Sequence, residues 1–200
     1  MASYHGRTPL AGVLPRQAAQ EWARTLLQPL DTAAKTSTDI TRLAMNMPRS
    51  AVAKLLGLSR NTVNAHLKRT EASLGLDLTD VRCRAAVHLA LVLSSSHTAP
   101  EPDYDQPPST LDDLLRTERA AAWAAATLRP LSGSAPPHSP GMDRRQHRRT
   151  AGCLRPGHQP QHDPHHLRTA ESVLGLDLLT AGTGIHDIVH MLRIANIRAV

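Results

Sequence analysis

Residues 59–69 read Ser-Arg-Asn-Thr-Val-Asn-Ala-His-Leu-Lys-Arg, which gathers donors and acceptors of the kind that read nucleic acid. A guanidinium can straddle O6 and N7 of guanine, and a carboxamide can pair with N6 and N7 of adenine. Arg60, Asn61 and Asn64 are therefore the expected base contacts. Hydroxyls and cations without base geometry serve phosphates instead. Ser59, Thr62, Lys68, Arg69 and the upstream Arg49 are the expected phosphate contacts. The plainer alternative for all eight is a solvated helix face that meets no partner.

Such a set works only if a helix holds it and a scaffold presents that helix. The sequence around it predicts a helix over Arg49–Leu56, a turn, and a second helix over Arg60–Leu74. Gly57 can leave the first helix left-handed without a Cβ clash. Ser59 is a good N-cap for the second helix, and Gly75 supplies its stop. Ala53 permits close approach of the two helices, and the branched Val63 can lock them together. That is the packing logic of a helix-turn-helix, whose second helix enters the major groove. Val63, Leu67, Thr70 and Leu74 form the expected buried stripe, with Arg60, Asn64, Lys68 and Glu71 on the opposite side.

Residues 59–91 resemble the C-terminal helix-turn-helix of PucR-like and CdaR-like bacterial regulators. The matching positions are Arg60-Asn61-Thr62, Lys68-Arg69, Glu71, Leu74-Gly75-Leu76-Asp77-Leu78 and Leu89-Ala90-Leu91. Asn64-Ala65-His66 departs from the basic and aromatic residues usual in that family. The resemblance spans about residues 25–93 and implies sequence-specific binding of double-stranded DNA in transcriptional regulation.

The remaining chain divides by composition. Residues 1–14 are expected to be disordered and residues 15–94 to form the DNA-binding domain. A helix from about Pro15 would present Ala18, Trp22, Leu26 and Leu30 on one face, with Pro29 at or beyond its end. Residues 32–38 read as a loop, and Ile40, Leu43 and Met47 as a short helix. Asp80 would cap a helix over residues 81–93, with Val81, Ala85, Leu89 and Val92 facing inward and His88 in a structural role. Residues 95–110 read as a linker, 111–131 as another helix, 132–165 as a disordered Pro/His/Arg-rich segment, and 166–200 as a remnant of a second copy. Helix is expected at residues 166–174 and near 185–197.

The second copy is visible as a repeat. Leu74-Gly75-Leu76-Asp77-Leu78 recurs as Leu174-Gly175-Leu176-Asp177-Leu178, and His66-Leu67 and Glu71 recur as His166-Leu167 and Glu171. Upstream, Trp22-Ala23, Leu27, Pro29 and Leu30 recur as Trp123-Ala124, Leu128, Pro130 and Leu131. The middle of this copy is replaced by the odd stretch. A reading frame moved by one base from about His138 turns Met142-Asp143 into Trp and permits GISRNTIRT opposite residues 57–65. Residues 132–165 are thus expected to be a frameshifted helix-turn-helix, with frame restored near His166. An ordinary Pro/Arg/His linker is the alternative, and the gene's codons decide between them.

Composition bounds the remaining choices. The chain has 200 residues, 40% hydrophobic, with no Phe, two Trp and two Tyr. Its core must be built from Leu, Val and Ala, which suits an all-α bundle. The net charge of +6 favours an anionic partner. Residues 49–84 alone hold seven Lys/Arg against three Asp/Glu. Scarce aromatics disfavour a base-stacking platform for single strands. Cys83 and Cys153 give neither a disulfide framework nor a metal spacing. His158, His162, His165 and His166 invite a zinc site, but no apolar scaffold preorganises them, so no metal is expected. No phosphate loop, nucleophile elbow or paired carboxylates appear, so neither enzymatic activity nor a cofactor is expected. No signal core or membrane span is evident, and the cytoplasm is the expected compartment. One intact reader suggests a homodimer. The competing readings are a helical protein-interaction or dimerisation module and the non-functional product of a frameshifted regulator gene.

Overall fold

The computed structural model describes residues 8–95, 110–132 and 184–199. Every regular element among them is helical. The order is α1 (Leu10–Val13), α2 (Arg16–Leu27) with a 3-10 turn at Gln28–Leu30, α3 (Lys35–Asn46), α4 (Arg49–Leu56), α5 (Arg60–Leu74), α6 (Val81–Ser94), α7 (Leu111–Leu115), α8 (Glu118–Ser132) and α9 (Gly184–Ala199).

Local chemistry sets most of these boundaries. Pro15 and Pro48 stand just before α2 and α4, where a missing N–H costs nothing. Asp80 caps α6 by accepting the Arg82 amide at 2.8 Å. Thr110 and Asp113 close a reciprocal capping box at α7. Two glycines end helices in left-handed conformation, Gly57 at φ 63° after α4 and Gly75 at φ 64° after α5.

Helix α6 divides two cores. One lies among α3, α4, α5 and α6, and contains Ile40, Val52, Val63, Leu67, Leu78, Val87 and Leu91. The other gathers α1, α2, the opposite side of α6, and α7, α8 and α9. Serving both, α6 is apolar almost all round. This explains a departure from expectation. Ala85 and Leu89 are buried, but Val81 and Val92 are 41% and 36% exposed. Their places are taken by Val87, His88, Ala90, Leu91 and Leu93. A one-face reading cannot describe a helix between two cores.

Three further expectations are corrected. Residues 8–14 are not disordered: Leu10 and Leu14 are 2% and 5% exposed in the second core. The expected loop and short helix before α4 are largely one helix from Lys35, with Ser37 and Thr41 buried on it. The helix expected over 111–131 breaks at residues 116–117 into α7 and α8. The expected linker and the disordered segment lie outside the described residues, apart from Ser95, Thr110 and Ser132 at helix ends. So do the histidines of the zinc reading and the helix expected at 166–174. The last expected helix is α9, and it packs against α6, α7 and α8.

Residues 101 positions apart are buried together in the second core. Leu10 and Leu111, Leu14 and Leu115, Ala19 and Ala120, Ala23 and Ala124, Ala90 and Met191, and Leu93 and Ile194 are all buried in it. Trp22 lies in the same core, with Trp123 packed on its edge.

Candidate nucleic-acid interface

The interface is built from the turn outward. The amide of Leu58 reaches back to the Ala53 carbonyl at 2.9 Å, closing α4 over the left-handed Gly57. Ser59 Oγ then accepts the Thr62 amide at 3.0 Å and starts α5. The Ser59 and Thr62 hydroxyls also lie 2.9 Å apart. These bonds cap the start of the helix, and Ser59, Arg60, Asn61 and Asn64 are exposed there, with Thr62 half-buried.

Behind that face, Val63 and Leu67 are 0% and 3% exposed. They pack with Ile40 and Ala44 of α3 and with Val52 and Ala53 of α4. Full burial of each aliphatic side chain contributes roughly 1.5–3 kcal/mol. Polar contacts fix the rotation of α5 on α3. Thr41 Oγ1 donates to the Ser37 carbonyl at 2.8 Å, so the 2.8 Å contact between the Thr41 and Thr70 hydroxyls is donated by Thr70. Ser37 Oγ and His66 Nδ1 lie 2.9 Å apart.

The cations are arranged around this exposed start. Arg49 donates to Asn64 Oδ1 at 2.7 Å, linking the beginning of α4 to the first turns of α5. Asn64 keeps its amide NH₂ as a donor, and Arg49 keeps most of its five N–H groups. Within the described residues no side-chain hydrogen bond engages Arg60 or Asn61. Arg69 reaches His66 Nδ1 at 3.5 Å. Lys68 forms an ion pair with Glu71 at 2.6 Å.

Glu71 corrects the sequence reading. Helical periodicity places it on the outer side with Lys68, yet it is only 9% exposed. One carboxylate oxygen accepts the Leu78 amide at 3.2 Å while the other holds Lys68. The loop after Gly75 folds back over the end of α5 and covers this carboxylate. The expected stripe holds at Val63, Leu67 and Thr70, but Leu74 is only half-buried.

Arg84 is a structural residue that no local sequence pattern marks. It is half-buried and donates to the Ala44 carbonyl at 3.1 Å, capping a free carbonyl at the end of α3. Burial, followed by the charge of nearby Arg49, pulls its guanidinium below the ordinary value. Its only sequence signal was membership of the basic run, because its partner lies 40 residues upstream.

A family model of the PucR C-terminal helix-turn-helix domain matches residues 40–93. Those residues run from within α3 to the end of α6. No curated protein and no solved structure matches the chain. No helix among the described residues is long and apolar enough to cross a membrane.

Proposed function

We propose that this chain, which carries a PucR-type helix-turn-helix domain, binds double-stranded DNA in a sequence-dependent way to regulate transcription, with α5 as the reading helix. The observation that carries this reading is the split character of α5. Val63 and Leu67 anchor it in the core, while Arg60, Asn61 and Asn64 stand exposed at its capped start. Arg60, which offers only donors, suits O6 and N7 of guanine, and Asn61 suits adenine. Asn64, with its oxygen held by Arg49, presents donors to an acceptor such as purine N7 or thymine O4. Arg49, Ser59, Thr62, Lys68 and Arg69 serve phosphates, with Lys68 exchanging its contact with Glu71 for one to the backbone.

The test compares duplexes of many sequences by fluorescence anisotropy. Arg60→Ala removes about 1–3 kcal/mol of discrimination between preferred and other duplexes. Lys68→Ala weakens all duplexes alike and lowers the salt slope by about one. Equal losses from both variants on every sequence would remove the assigned roles. A second reading, a protein-interaction module, is favoured by Leu55 and Leu56, which are 62% and 41% exposed at the end of α4 beside the reading face. Affinity for a partner that ignores salt would support it, because phosphate contacts demand steep salt dependence. A folded chain without duplex affinity is the outcome expected of a frameshifted, non-functional product.

A further inference from the structure

We infer that the face formed by α1, α2 and α6 is a self-pairing surface, and that α7, α8 and α9 occupy it as a second copy of the same scaffold, making the chain an internal dimer. The inference is independent of the DNA reading.

Reciprocal packing supports it. In a two-fold interface, if element i of one unit meets element j of the other, then j of the first meets i of the second. Repeat positions make α7 the counterpart of α1 and α8 that of α2, and α9 is the counterpart of α6 because each follows a copy of Leu-Gly-Leu-Asp-Leu. Helix α1 packs on α8, α2 packs on α7, and α6 packs on its own counterpart α9. Contacts within each unit correspond too: α2 lies on α6 as α8 lies on α9, and α1 lies on α6 as α7 lies on α9. The pairing is also chemically self-complementary, since equivalent leucines and alanines from both units share one core. A tail docked by chance on an apolar patch has no reason to reproduce all of these relations.

Polar contacts hold the two units in register. Trp123 donates its indole N–H to the Thr8 carbonyl at 3.0 Å. His186 Nε2 lies 2.9 Å from the Met45 carbonyl, and His190 Nε2 lies 3.2 Å from the Ala85 carbonyl. Because a carbonyl can only accept, both rings donate there. The consequence replaces the homodimer expected of a single reading helix. The chain already fills its own pairing face, so it is monomeric and brings one reading helix per molecule from the described residues.

Sedimentation of the full chain over a wide concentration range tests this. The unaltered protein is expected at 21.7 kDa throughout. Changing Met191→Glu and Ile194→Glu, at positions 0% and 2% exposed, expels α9 and opens the face of the first unit. That variant is expected to reach twice the monomer mass as concentration rises, while circular dichroism retains the helical signal of the first unit. Adding Leu14→Glu places a charge on the opened face and returns the chain to monomer mass. Ala120→Glu, which strikes α8 instead, is expected to give the same doubling should the α9 variant lose its helical signal. A dimeric unaltered protein overturns the inference. So does a helical α9 or α8 variant that stays monomeric, aggregation that Leu14→Glu does not reverse, or loss of helix in both variants.

Discussion

Acid should loosen the packing of α9 on α6. His88 stacks on His186 with ring centroids 4.5 Å apart, and His190 is 2% exposed on the next turn of α9. Burial is the main cause that pulls His88 and His190 down to about 4. His186 is lowered as well, by burial first, with a contribution from Arg84. The Nδ1 atoms of His186 and His190 have no hydrogen-bond partner among the described residues, so a proton added there meets no acceptor. Arg84 faces His186, and Arg193 faces His190, and both repel an imidazolium. A histidine whose folded pKa is below its unfolded value contributes stability above pH 6.5 that is lost as pH falls toward 4. Asp187 opposes this. Burial raises its carboxyl to about 6, so it contributes stability at low pH that is lost as pH rises through 6. The two histidines held at about 4 against one carboxyl leave at least one net proton taken up on unfolding between pH 6 and pH 4, and His186 adds to it in the same direction. One proton corresponds to about 1.4 kcal/mol per pH unit, or about 3 kcal/mol across that window. Urea unfolding followed by tryptophan fluorescence reads this, because Trp22 is in the second core and Trp123 packs against it. His88→Phe keeps an aromatic ring for the stack and removes one titrating group, so it should lower the slope between pH 6 and pH 4 by about 1.4 kcal/mol per pH unit. Stability that does not change from pH 6.5 to pH 4, or a His88→Phe slope equal to that of the unaltered protein, would refute the reasoning.

Three substitutions probe the helix-turn-helix. Gly57→Ala adds a Cβ that meets nothing within 4 Å, so its cost is the left-handed φ of 63° alone, about 1 kcal/mol by thermal denaturation. A loss near zero would mean that the turn relaxes. Ser59→Ala removes the cap on the Thr62 amide and should cost about 1 kcal/mol in stability, with a parallel loss of duplex affinity. Glu71→Gln keeps an oxygen for the Leu78 amide but breaks the pair with Lys68, which is 65% exposed, so stability changes by less than about 1 kcal/mol. The freed ammonium should tighten duplex binding and steepen its salt dependence, and weaker binding at low salt would contradict a phosphate role for Lys68.

The helix-turn-helix was legible because its signals are local. A serine cap acts on an amide three residues on, a glycine acts on its own φ, and a valine six residues past that glycine faces back onto the preceding helix. Residues 40–93 needed no distant partner to be recognised, and the eight contact residues are proposed from that local pattern. Helical periodicity misplaces Glu71 because its partner is a backbone amide seven residues away, beyond a turn that the periodicity does not cross. No local signal marks Arg84, because it caps a carbonyl 40 residues upstream.

The chain's own order of residues determined the helix-turn-helix, its caps, its excess positive charge and the repeat. Only tertiary packing decided what the repeat does with its apolar faces. A helix pattern states that a face must be covered, but not by what. Residues 8–14, the side of α6 that meets α9, and α9 itself acquired their roles from contacts between segments about a hundred positions apart, where periodicity carries no information and shape complementarity selects the partner.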